Sequence, residues 1–424
     1  MHGKGSKQEI KRMTFRQLLT QSGRLLIPLY QRRYCWADRT IWHWFEDVVR
    51  GKRDHLGIHN TGNVILKRSP HNKDALIVID GQQRITTTML FLSALSDELQ
   101  TLEIESLKHQ RSKELWIKVD DELTSMMFIN ESHDHSDSSN IEEGEDIKSC
   151  RLLPSFSDRK PFFQMLLKPN DKLSKDTEAV SFQKRAKEGF KSRIAQELRE
   201  RNIVSADDKI DFLSEVTHQA LDLMGVTYVE IINEINMAQV FLWLQEKSLF
   251  GEASLLFNPT PGNYFTAVDM IRNLLVSPTM ELSFEEQEKF YRDHWLQPIE
   301  NSFKGDNQLE SFNTCLQEFI NSKKELSNFS SEGELTYLKM MKASTSLSPI
   351  GRQYITTYAK FISLFEKISL EMSEKDTEVQ KTEAEKSQRS LQKHLYEASL
   401  SILTDISTFI SMKQLETVKA AEKW

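Results

Sequence analysis

A chain of 424 residues, 39% hydrophobic and 28% charged, is long enough for two or three domains and has the composition of an ordinary soluble protein. Its net charge of −7 excludes a global basic field for nucleic acid, and three scattered cysteines, Cys35, Cys150 and Cys315, argue against a disulfide framework or a zinc cluster. The opening MHGKGSKQEIKRMTF has no apolar core and no run of about 18 apolar residues follows, so neither a signal peptide nor a membrane span is expected, and an intracellular location is.

Residues 1–12 are polar and are expected to fray. A short helix follows from Thr14, with that threonine as its cap, and then a strand at Leu25–Ile27 that Pro28 closes on one side. Tyr30-Gln31-Arg32-Arg33-Tyr34-Cys35-Trp36 places three aromatics and two arginines in seven residues. Taken alone, the aromatics pack a core lid and the arginines stay wet. Asp38 is positioned to cap a helix over 39–50, with Ile41, Trp42, Phe45, Val48 and Val49 as its apolar side. His43 has no second ligand at helical spacing and reads as a surface or packed histidine. Thr61–Lys67 is a second strand, and His71–Asp74 is a turn that returns the chain.

The chain is organised around 75–99, ALIVIDGQQRITTTMLFLSALSDEL. Ala75–Ile79 is the kind of short apolar run that fills a strand covered on both faces. Asp80-Gly81 breaks it, and a helix follows with Ile85, Met89, Leu92, Leu95 and Leu99 on one side. The polar residues gather at the join. A strand running into a helix start offers unpaired backbone N–H groups and the positive end of the helix dipole. Gly81 and the amides after it, the Arg84 cation and the Asp80 carboxylate together form a plausible phosphate cradle, with Asp80 able to place a metal ion or water. Gln82 and Gln83 can orient a water or read a base or sugar, and Thr86 and Thr87 carry hydroxyls for a phosphate. Against this stands the plain reading of the join as a capped turn that binds nothing.

Further on, 100–123 is read as mostly helical, with Trp116 and Ile117 as strand or core exceptions. The acidic run Glu131–Lys148 is read as a disordered loop rather than a metal site, despite His133, Asp134, His135 and Asp137. Arg151–Phe156 resembles a strand, and a helix follows with Pro161 in its first turn. A polar linker covers 169–177. Amphipathic helices follow at 180–201 and 206–223, then a strand at 226–232 and helices at 236–249 and 267–276. Beyond 281 the pattern is helical, with a charge-dense stretch at 373–393 and an amphipathic period at 395–412. The fold class expected is α+β: a small mixed sheet with helices, followed by a large helical region. The organisation expected is a flexible terminus at 1–12, a core at 13–125, an acidic insertion at 126–150, strands plus helices at 151–280 and a helical region at 281–424.

In order and spacing, IPLYQRRYCW at 27–36, TGNVILKR at 61–68 and VIDGQQRITT at 78–87 resemble the N-terminal domain of GmrSD-type restriction enzymes, which is related in fold to ParB and sulfiredoxin. The segment FTAVDMIRNLL at 265–275 is similar to that family's LSxxDLIKNxL, whereas the usual FExLNxxG before it reads FLWLQEKSLFGEASLLFN here. The resemblance runs from about 14 to about 320. It implies a ParB-like core in which the DGQQR segment, here Asp80, Gly81, Gln82, Gln83 and Arg84, serves nucleotide binding and hydrolysis, and Gln31 and Arg32 complete the same pocket. The expected cofactor is a nucleoside triphosphate with magnesium. DNA and a nuclease partner protein are the further partners considered.

Relatives often add an HNH-type nuclease, which needs a general-base histidine and further metal ligands. Past Ser302 the chain has one histidine, His394, so such a unit is not expected here. Two readings remain open at this stage. One is a triphosphate-binding and hydrolysing module of a modification-dependent (type IV) restriction or defence system. The other is a non-catalytic scaffold that retains the pocket. Nucleotide-dependent thermal stabilisation separates them.

Overall fold

The apolar run at 75–79 is a central strand of a mixed six-stranded sheet. A computed structural model describes residues 9–129 apart from 22 and 37, then 150–166, 182–231, 267–303, 308–323, parts of 357–372, and 384–421. The sequence readings at 131–148, 169–177, 236–249, 259–262 and 335–342 lie outside these residues.

The strands are β1 (Glu9–Thr14), β2 (Arg24–Leu26), β3 (His59–Arg68), β4 (Ala75–Asp80), β5 (Leu152–Leu153) and β6 (Met224–Ile231), paired in the order β1-β6-β3-β4-β2-β5. β3 runs antiparallel to β4, the return expected from the turn at 71–74, and parallel to β6. Ala75 to Ile79 are all buried, as expected of a strand covered on both sides. With its helices this is an α+β fold.

Several local readings change. Residues 9–12 do not fray: β1 pairs antiparallel with β6 along its whole length, from Glu9 opposite Glu230 to Thr14 opposite Gly225. Met13 is buried in the core while Ile10 is 64% exposed. A polar strand like this is stabilised by its ladder partner, which lies far away in sequence. Thr14 closes a capping box with Gln17 on helix α1 (Phe15–Thr20), as its position predicts. Helix α2 (Asp38–Arg50) buries Ile41, Trp44, Phe45 and Val48, and Trp42 is turned outward beside the exposed His43. Trp116 and Ile117 are neither strand nor exception. They lie within helix α5 (Gln110–Met127), which follows α3 (Gln82–Gln100) and the short α4 (Glu103–Ser106); Trp116 Nε1 donates to Leu99 O at 2.9 Å and Ile117 faces solvent. The helix carrying Pro161 starts at Phe156, which puts the proline in its second turn.

Helix α3 (Gln82–Gln100) is buried nearly all round through Leu95, so it is a central element rather than an amphipathic surface helix. It packs against α5 and against the helix Phe182–Glu200. Ion pairs tie the outer helices together. Arg16 on α1 meets Asp222 at 2.6 Å and also Glu122, and Arg50 and Arg201 both reach Glu197 at 2.7 and 2.8 Å. The hydrogen bond from Arg16 holds the Asp222 carboxyl below its ordinary 3.8. Burial works to raise Glu197, but Arg50 and Arg201 outweigh it and hold that carboxyl below 4.5.

These shifts fix a sign. A carboxyl depressed in the folded state stabilises above its unfolded pKa, and that contribution is lost as pH falls through the folded value. Stability should therefore hold from neutrality down to about pH 5 and fall below the ordinary values of 4.5 and 3.8. Urea midpoints measured across this range should drop less steeply in Arg16→Met; an identical slope removes Asp222 from the account.

The chain divides into two compact units, with Arg33–Ile235 in the first and Tyr264–Trp424 in the second. Leu29–Arg32 groups with the second unit. In the second unit the helix Ala267–Val276 contacts the helices Gln308–Ser322 and Ala384–Ala421. Within that second unit His394 is 2% exposed, a core histidine rather than one on a charged surface. The cysteines are unbridged, as expected.

Candidate functional site

The join between β4 and α3 is built from three local facts. β4 ends at the half-buried Asp80. Gly81 then turns the chain with φ of 98°, in the left-handed region. A side chain there is excluded twice over, because a Cβ would lie 2.6 Å from Val64 Cγ2 and 3.2 Å from Asn63 O. α3 starts at Gln82 with no side chain capping it. Ile85 N, donating to Gly81 O at 3.1 Å, makes the bond that closes the first turn. The amides before it have no acceptor within the helix, and they sit at the positive end of the dipole.

Arg84 is placed by β3. Its Nε donates to Thr61 O at 2.8 Å and its Nη1 to Asn63 O at 3.1 Å. Among the described residues its hydrogen bonds go to these two carbonyls and none goes to a carboxylate. The sequence alone missed this clamp. The signal was present as Thr61-Gly62-Asn63, but which strand would lie beside the helix start was not legible.

Gln83 is engaged at both ends of its amide. Oε1 accepts from Cys35 N at 3.0 Å, and Nε2 donates to Arg33 O at 3.2 Å. It therefore ties the Arg33–Cys35 loop to the helix start. Thr87 is fully buried, and its hydroxyl lies 2.8 Å from Tyr34 OH. Burial pushes the Tyr34 phenol well above its ordinary value, so it stays a neutral hydrogen-bonding group. Asp158 Oδ2 accepts from Tyr34 N at 2.5 Å, which anchors the loop from the other side. The aromatic loop is thus fastened to α3 by side chains that the sequence reading had assigned to ligand contact.

Gln82 and Thr86 are also buried, at 7% and 3% exposure, beside the Gly81 turn in sequence. Gln31, buried, and Arg32 belong to the second unit, whereas Asp80–Thr87 belong to the first. For magnesium the site has one carboxylate, Asp80, and among the described residues no group of three or more metal-ligating side chains occurs. That donor set suits an ion which takes one or two carboxylates and completes its shell with phosphate oxygens and water.

The segment that resembled LSxxDLIKNxL forms a buried polar centre in the second unit. Arg272, 4% exposed, hydrogen-bonds Asp269 and lies 3.7 Å from Glu300. Tyr291 OH and Trp295 Nε1 donate to Glu300 Oε2 at 2.8 and 2.9 Å. Burial opposes the charge on Arg272, but Asp269, Tyr291 and Glu300 outweigh it and keep its pKa above the ordinary value. This centre has the character of a core ionic network.

Among the described residues no helix is long and apolar enough to cross a membrane. A family model described as the GmrSD restriction endonuclease N-terminal domain matches residues 15–417. No curated protein matches the chain.

Proposed function

Because the chain belongs to the family of GmrSD restriction endonuclease N-terminal domains, we propose that it is a restriction or defence module that binds, and hydrolyses, a nucleoside triphosphate at the β4–α3 join. One observation carries this reading: an arginine whose hydrogen bonds go to two backbone carbonyls is held beside a helix start that is reached through a glycine turn. The phosphates lie against the amides that follow Gly81, and Arg84 counters their charge. Gln82 and Thr86 line the first turns. Gln83 and Thr87 act one step back, by holding the Arg33–Cys35 loop and Tyr34 in place.

Magnesium, when bound, shields the phosphate charge and polarises the phosphoryl oxygens. Asp80 is the residue that would hold it, and Asp80 also orients the attacking water. Asp80→Asn should then lower turnover by at least tenfold while changing triphosphate affinity by less than about threefold, because the carboxylate acts on metal or water placement more than on phosphate contact. Equal losses in both would move Asp80 out of this role.

The deciding experiment is a calorimetric titration of the folded chain with ATP, GTP and CTP in the presence of magnesium. Heat and a matching rise in melting temperature are expected for at least one of them. Silence with all three, in protein shown to be folded, overturns the reading. It would leave the non-catalytic scaffold, which the structural use of Gln83 and Thr87 favours.

A further inference from the structure

Arg84 is a cation held by backbone. The two carbonyls that grip it, Thr61 O and Asn63 O, come from the part of β3 where its pairing with β6 slips between Asn60 and Asn63. Between them Gly62 has φ of 118°. A Cβ on Gly62 would lie 2.8 Å from Arg84 Nη2 and 3.0 Å from Cζ, so the guanidinium rests directly on the glycine backbone. The bulge is itself pinned. Gly62 N donates to Asn60 Oδ1 at 3.0 Å, and Thr61 Oγ1 donates to Gly225 O on β6 at 3.0 Å.

This arrangement does more than supply charge. A guanidinium is a planar fork with five N–H donors, and two carbonyls together with a backbone platform fix both its plane and its rotation. The remaining donors then point in one set direction. An ammonium on a flexible stem cannot bridge two such carbonyls and also present paired donors to an anion.

We propose that the Thr61–Asn63 bulge is the positioning element of the phosphate site, with Gly62 as the positioning residue that sets the plane of the Arg84 guanidinium. This rests on the triphosphate reading above. Gly62 does not touch the ligand; it acts through the orientation of Arg84.

The test compares the wild-type chain with Arg84→Lys and Gly62→Ala, by calorimetric titration with ATP, GTP and CTP plus magnesium, repeated over a range of salt concentrations. Arg84→Lys keeps the charge, so it should keep the wild-type slope of affinity against salt while losing at least tenfold in affinity. Gly62→Ala should also lose at least tenfold, and should lose the protected Arg84 Nε–H signal in the nitrogen-15 spectrum. If Gly62→Ala does not fold, Arg84→Lys decides. An Arg84→Lys affinity within threefold of wild type overturns the positioning role and leaves the triphosphate reading standing. Absence of binding by the folded wild type overturns that reading and the inference with it.

Discussion

Arg272→Ala should destabilise the second unit by about 3–5 kcal/mol, because removing one partner of a buried ionic network leaves the others charged and uncompensated. Asp269 and Glu300 are the groups left behind, and both are nearly enclosed, with side chains 10% and 8% exposed. Glu300 would still accept from Tyr291 and Trp295, but two neutral donors do not replace a cation. Urea unfolding followed through tryptophan fluorescence measures this, since Trp295 sits in the same network. A loss below about 1 kcal/mol would mean that the pair is solvated in solution, as exposed pairs are. Arg272→Lys is informative beside it. It retains charge but not the fork geometry, so an intermediate loss is expected.

Arg84→Ala should weaken triphosphate binding by roughly 1.5–3 kcal/mol, about 10- to 150-fold, the usual worth of one charged hydrogen-bonding partner. It should also lower stability, because Thr61 O and Asn63 O each lose a donor. The two effects separate in practice: binding is titrated well below the melting temperature, and stability is read from the urea midpoint. If Arg84→Ala lowers stability but leaves triphosphate affinity within threefold of wild type, Arg84 is a strand clamp and the phosphate site lies elsewhere.

Much of the architecture was legible because its signals are local. Ala75–Ile79 could only be a buried strand, since a short apolar run of β-branched residues bounded by Asp-Gly has few other solutions. The Thr14 cap, the turn at 71–74 and the helix at 267–276 followed from spacing and cap chemistry in the same way. The motifs gave the family, and a match over residues 15–417 bears that out. What composition could not show was long-range. β1 is polar and forms because β6 lies beside it, a pairing between Glu9–Thr14 and a strand that begins at Met224.

The sequence by itself determined the α+β class, the strand-turn-helix at 75–99 and the cluster of polar residues at its join. These depend on residue type and spacing within about twenty positions, which period and turn chemistry set directly. Only the tertiary structure decided how those polar groups are used. It turned Gln83 and Thr87 inward to hold Arg33, Cys35 and Tyr34, and it laid Arg84 on the Thr61–Asn63 bulge. Which donors a side chain spends within the fold depends on what the sheet order places beside it. β3 lies against both β4 and β6, and that adjacency is set by strand pairing across the whole chain.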